Sequence, residues 1–195
     1  MEDSETTLDA DNVYRTHVLQ VGRWAARLGG PAIDLEDTVH EVFTIACARL
    51  PTFRGKSTVA TWLFGITDMV VRRRRRKERL WRWLSGSAAN EMVGLVPSPG
   101  PDPLKAAEQN QTAASVYRVL DQLSEGDRRI LILFELEEMS ADEVGEMLGI
   151  KPANARLRLH RARARFLRVY KRKFRSDKAM LTEVKVHSER YENVS

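Results

Sequence analysis

Apolar positions along this chain recur at steps of three and four rather than two, which predicts helices throughout and no strands. Tyr14, Val18, Val21, Ala25 and Leu28 share one stripe, placing a helix over residues 12–28 with Asp11 as its cap and Gly29-Gly30-Pro31 as its end. A second helix begins after Asp34, whose carboxylate can cap it. It carries Val39, Val42, Phe43, Ala46 and Leu50 inward and stops at Pro51. Phe53-Arg54-Gly55-Lys56 then loops to Ser57, a cap for a third helix. That helix turns Trp62, Leu63, Ile66, Met69 and Val70 to the core and runs on into five consecutive arginines, Arg72, Arg73, Arg74, Arg75 and Arg76.

The pattern breaks at SGSAANEMVGLVPSPGPDP, residues 85–103, where Gly, Ser and four prolines leave nothing to build a core. This stretch is a flexible linker, with one helical domain over 12–84 and another over 104–175. Residues 1–11 and 176–195 are polar tails. Beyond the linker a helix over 104–120 is followed by Ser124, which opens a helix carrying Ile130, Leu131, Leu133, Phe134 and Leu136. SADE at 140–143 has the form of a capping box, and its short helix meets Gly149. Pro152 stands where the first turn of the next helix needs no amide hydrogen. Helix, three-residue turn, helix: this is the helix-turn-helix arrangement.

Charge sharpens that reading. The chain is 195 residues long with a formal net charge of +5, which is modest, but its distribution is uneven. Residues 151–175 hold eleven Lys or Arg and no acid, whereas 121–146 are rich in acid. On the last long helix Ala155, Leu159, Ala162, Phe166 and Tyr170 form an apolar back. Arg156, His160 and Arg163 line one flank, Arg158 and Arg165 the other. Arginine can bond guanine edges bidentately and asparagine adenine edges, while further arginines hold phosphates. The lone Cys47 sits in an apolar pattern and reads as a small buried hydrophobe, and one cysteine allows no intrachain disulfide. The acidic, polar start is unlike a signal peptide, and no apolar run approaches the ~20 residues of a membrane span, so a cytoplasmic protein without membrane insertion is expected. Scattered histidines (His17, His40, His160, His187) and the lack of a phosphate loop or nucleophile motif point to neither an enzyme nor a cofactor.

At two separate places the chain resembles extracytoplasmic-function (ECF) sigma factors of the sigma-70 family. DLEDTVHEVF (34–43), with FRGKS (53–57) and TWLFGI (61–66), is similar to that family's region 2. The stretch from Leu123 to Arg163 is similar to region 4. The resemblance implies an all-α protein of two small domains that binds core RNA polymerase at the β′ clamp helices and the β flap. It also implies promoter DNA as ligand and an anti-sigma factor as regulator. By the same resemblance Asp34, Glu36, Asp37 and Glu41 face polymerase, Met69 with Arg72–Arg76 meets the −10 element, and Asn154, Arg156, Leu157, Arg158, His160 and Arg161 meet the −35 element. The chain departs from the family pattern at Gly65, Met69, Arg73 and Leu157, where a basic residue, an asparagine, an uncharged polar residue and a serine are usual. A ligand-sensing operator-binding regulator would account for the second half but leaves the acidic helix and the 53–66 block without a role.

Overall fold

The computed structural model describes residues 9–85 and 103–174. The expected linker core, the first eight residues and the C-terminal stretch with Met180, Leu181 and Val184 lie outside the described residues. Among these residues seven α-helices follow one another: α1 Ala10–Gly29, α2 Leu35–Arg49, α3 Val59–Leu84, α4 Pro103–Leu120, α5 Glu125–Leu131, α6 Ala141–Leu148 and α7 Pro152–Lys173. Among the described residues there is no strand. The chain is therefore all-α, as its periodicity requires.

Local chemistry sets most boundaries. Asp34 caps α2 by accepting from the Asp37 amide at 2.9 Å, and Ser124 caps α5 by accepting from Asp127 at 3.1 Å. At α6 the capping box closes in both directions: the Glu143 amide donates to Ser140 Oγ at 3.2 Å, and the Ser140 amide donates to Glu143 Oε2 at 2.7 Å. Gly149 ends α6 in the left-handed region (φ 64°), which a glycine enters without the Cβ penalty. Two caps differ from the sequence expectation by a residue or two. Asp9, not Asp11, caps α1, and Thr58, not Ser57, caps α3, its hydroxyl accepting from Thr61 at 3.1 Å.

Helices α1, α2 and α3 pack on one another through Val21, Trp24, Ala25 and Leu28, through Val42, Phe43 and Ala46, and through Leu63, Phe64, Ile66 and Val70. Trp24 meets Phe64 edge-on, with ring centroids 5.2 Å apart. Each of the buried Val, Leu, Ile and Phe side chains contributes roughly 1.5–3 kcal/mol by leaving water. Tyr14, expected inward, is 45% exposed and meets the core residue Phe43 edge-on, with ring centroids 4.7 Å apart. Cys47 is exposed rather than buried: it lies one step round from Ala46, past the edge of the covered stripe.

In the second half α7 packs on α5 and α6, burying Ala155, Leu159, Ala162 and Tyr170 of the expected stripe and half-burying Phe166. One feature has no signature in the periodicity. After α5 the chain widens into a π-helical turn, Ile132–Leu136, with the Glu137 amide donating to the Ile132 carbonyl at 2.9 Å. Glu138 then takes a φ of 54°, uncommon without a glycine, and the chain turns toward α6. Buried residues of both halves form one contiguous cluster, so the two sets of helices are packed directly together.

Candidate nucleic-acid interface

The three residues between α6 and α7 aim the last helix. Ile150 donates its amide to the Gly145 carbonyl at 2.9 Å, and Pro152 opens α7 with no amide to satisfy. A Cβ on Gly145 would meet the Ile150 carbonyl oxygen at 2.8 Å, so the turn lies against the bare backbone of α6. With its back fixed by Ala155, Leu159 and Ala162, α7 turns Asn154, Arg156, Leu157, Arg158, His160 and Arg161 to solvent. All six expected −35 residues therefore lie on the exposed part of a single helix.

The arginines of α7 are not equivalent. Arg163 pairs with Glu135 at 2.7 Å and Arg165 with Asp127 at 2.6 Å, both on the body that α7 packs against. Arg156, Arg158 and Arg161 form no ion pair among the described residues. The flanks read from spacing alone thus divide into arginines that hold the helix down and arginines that stay available. Leu157, 47% exposed, adds an apolar surface among the available cations.

In the first half of the chain α2 and α3 pack on each other. Asp34 caps α2, and Glu36 and Asp37 are exposed in its first turn, where acids also suit the helix dipole. Glu41 is turned inward instead. It pairs with Arg73 and, at 2.8 Å, with Arg74, whose Nη2 also donates to the Asp37 carbonyl at 3.0 Å. Three of the acids expected to face a protein (Asp34, Asp37 and Glu41) and two of the arginines expected to face DNA (Arg73 and Arg74) therefore share one groove of roughly 650 Å³, lined also by Lys77, Glu78 and Trp81.

Two of the three remaining arginines of the run are also engaged. Arg72 pairs with Asp68 at 3.1 Å. Arg75 is 4% exposed and pairs with Asp121 at 2.9 Å, so in this arrangement it is not on the surface expected of it. Met69 is half-buried against the core. Arg76 is exposed with no ion pair among the described residues. Beyond it α3 ends on four exposed apolar side chains, Leu80, Trp81, Trp83 and Leu84, which stand in the sequence but were given no role by the helical stripe.

Arg128 is the most perturbed group. It is 2% exposed, donates to the Leu28 carbonyl at 3.0 Å and to Asp121 at 2.9 Å, and lies 5.5 Å from the Tyr117 ring centroid. Burial, with the Arg75 charge beside it, lowers its pKa to about 10, still cationic at neutral pH. Burial likewise raises the Tyr117 hydroxyl, against the opposing pull of Arg128. Among the described residues no three metal-binding side chains come together, and no helix is long and apolar enough to cross a membrane.

Comparison with known proteins matches both ends of the chain. The family model for sigma-70 region 2 covers residues 13–80, and that for sigma-70 region 4 covers 113–166. The ECF RNA polymerase sigma factor SigE of Mycolicibacterium smegmatis is 32% identical over 174 residues, 87% of this chain and 64% of its own length. The chain thus spans just under two thirds of that relative. The ECF RNA polymerase sigma factor SigW of Bacillus subtilis is 24% identical over 83% of this chain and 87% of its own. Among solved structures, the sigma factor RpoE from Bartonella quintana, in complex with the anti-sigma factor NepR, superposes with a TM-score of 0.59. It is 22% identical over 83% of this chain and 96% of that one, a likeness of fold.

Proposed function

Because this chain belongs to the sigma-70 family, in its extracytoplasmic-function branch, we propose that it is a transcription initiation factor rather than an enzyme: it binds core RNA polymerase and directs it to promoters. The observation that carries this reading is α7. A capped helix, a three-residue turn through Gly149 and a second helix with an apolar back present Asn154, Arg156, Arg158, His160 and Arg161 together, and the three arginines of this set form no ion pair among the described residues. That set suits the −35 element, with Asn and Arg able to read base edges and the remaining cations positioned for phosphates.

In the same reading the exposed acids Asp34, Glu36 and Asp37 dock on the β′ clamp helices, and region 4 reaches the β flap. Glu41 contributes once Arg73 and Arg74 have turned to DNA. Arg72, Arg73, Arg74 and Arg76 line the −10 strand, as cationic grooves do for single strands. Arg75 joins them only after it leaves Asp121. Control by an anti-sigma factor is part of the proposal, supported by the fold likeness to a sigma factor solved with such a partner. The test is co-elution: the full chain, mixed with purified core polymerase, elutes with it, and isolated promoter DNA binds far more weakly than the mixture does. Separate elution of chain and polymerase at low salt overturns the reading.

A further inference from the structure

Of the six outward side chains of α7 expected at the −35 element, Leu157 alone can neither donate nor accept a hydrogen bond, and it is 47% exposed. No packing need holds it there. Among the described residues, the core and the side chains packed against it do not include Leu157. A helix advances about 100° per residue, so the buried Ala155, Leu159, Ala162 and Tyr170 point on average about 180° away from it. Asn154 and Arg161 stand about 60° and 40° to one side of it, and His160 about 60° to the other. Leu157 is thus the crest of α7. It also lies in the second turn, near the end by which such a helix meets base edges. The cations around it are available: Arg156, Arg158 and Arg161 form no ion pair among the described residues.

An apolar crest inside a ring of cations restricts what the groove beneath it can hold. In the major groove guanine shows the acceptors N7 and O6, adenine N7 and an amino group, and cytosine an amino group. Thymine alone adds an apolar group, its C5 methyl, beside the O4 acceptor. Pressed on the polar atoms of guanine, adenine or cytosine, leucine displaces their water and offers no partner in return, which costs affinity. Pressed on the thymine methyl, it takes two apolar groups out of water together. A serine at this position could bond to any of these edges, whereas leucine discriminates. The arginines around it draw phosphates whatever the sequence, so Leu157 can choose among sites without supplying the overall attraction.

We propose that Leu157 reads a thymine methyl: promoters used by this chain carry, within the −35 element, a T·A pair whose methyl lies beneath α7, and the choice at that pair is made by apolar contact. The inference rests on the reading of α7 as the −35 helix and names what one of its side chains recognises. Because the recognised group is the methyl, deoxyuridine in place of that thymine weakens binding although every hydrogen bond of the base is kept. Taking one methyl group out of water is worth about fourfold in affinity. At the same place 5-methylcytosine regains about that factor over cytosine.

The experiment uses the full chain with core polymerase and a promoter on which that complex initiates in vitro. Each thymine of the −35 element, on either strand, is replaced in turn by deoxyuridine, and affinity is measured by competition for wild type, Leu157→Ala and Leu157→Ser. Far-UV circular dichroism checks that both variants are folded. Wild type should lose about fourfold at one thymine, and the two variants should lose nothing there. Changing that pair to C·G should weaken wild type further, with methylation of the new cytosine restoring part of the loss in wild type only. No sensitive thymine in wild type, or the same sensitivity in the Leu157 variants, overturns the assignment. So does loss of core-polymerase affinity in variants that keep the wild-type deoxyuridine pattern, which would place Leu157 at a protein interface. Promoter-dependent transcription by wild type is scored separately: its absence overturns the initiation reading and this one with it, whereas normal transcription without the methyl effect overturns this one alone.

Discussion

Replacing Gly145 by alanine tests how α7 is aimed. The added Cβ would lie 2.8 Å from the Ile150 carbonyl oxygen and 3.4 Å from the Pro152 nitrogen, both backbone atoms that cannot rotate away. Reaching ordinary contact requires the turn to retreat by about 0.6 Å. Overpacking of this kind costs about 1–3 kcal/mol, and alanine returns up to about 1 kcal/mol of helix propensity. Net destabilisation should thus be about 0–3 kcal/mol. The larger effect falls on DNA. The displaced atoms open α7, so Asn154 and Arg156 shift relative to the groove, and loss of one bidentate base contact is worth about 1–3 kcal/mol. Gly149→Ala is the control. Nothing lies within 4 Å of its Cβ, but its φ of 64° costs an alanine about 1–2 kcal/mol without moving the turn. Urea denaturation gives the two stabilities, and titration of the polymerase complex against promoters with intact or scrambled −35 elements gives the discrimination. Gly145→Ala should lose −35 discrimination by about tenfold and Gly149→Ala should retain it. Equal discrimination in the two folded variants would refute this account of the turn.

Three further outcomes are expected. Arg156→Ala and Arg161→Ala should each weaken promoter binding by about 1–3 kcal/mol if they read a base and uniformly across sequences if they hold phosphate; Arg163→Ala should act on stability first, because Arg163 bonds Glu135, and denaturation read beside promoter titration separates the cases. Asp37→Lys should slow association with core polymerase and steepen its salt dependence, measured by stopped flow; the same change at Glu41 would also release Arg73 and Arg74 and is a poorer test. The Glu143 carboxyl is held below its ordinary pKa, first by the Ser140 hydroxyl and then by the Ser140 amide. A carboxylate lowered in the folded state stabilises above its unfolded pKa, and that contribution is lost as pH falls through the folded value. Glu143→Gln should therefore show a smaller loss of stability across that acid window in urea melts at stepped pH.

What the sequence disclosed was whatever a few neighbouring residues decide. Ser140 and Glu143 cap α6, Gly149 ends it and Pro152 starts α7 within one short stretch, and the sigma-like blocks lie in such stretches too. The stripe Ala155-Leu159-Ala162-Phe166-Tyr170 was legible from α7 alone, and all of it is buried except Phe166, which is half-buried. Pairing across the fold was not legible. Nothing near Arg165 in the chain marks Asp127 as its partner, and nothing near Arg75 marks Asp121, yet these pairs decide which cations remain available. Cys47 shows the same limit: its stripe was read correctly, but the edge of that stripe depends on where α1 and α3 end against α2. Trp24, at 1% exposure the largest fully buried side chain, lies between residues of the stripe read from spacing and anchors α1 on Phe64.

Transcription in vitro with purified core polymerase, the full chain and a library of promoter fragments, with start sites mapped by sequencing the transcripts, bears most directly on the central claim. Initiation at a defined subset of promoters sharing a −35 and a −10 element, absent with core alone and redistributed by Arg156→Ala, is the predicted result. Transcripts whose number and start sites are the same with and without the chain would contradict it.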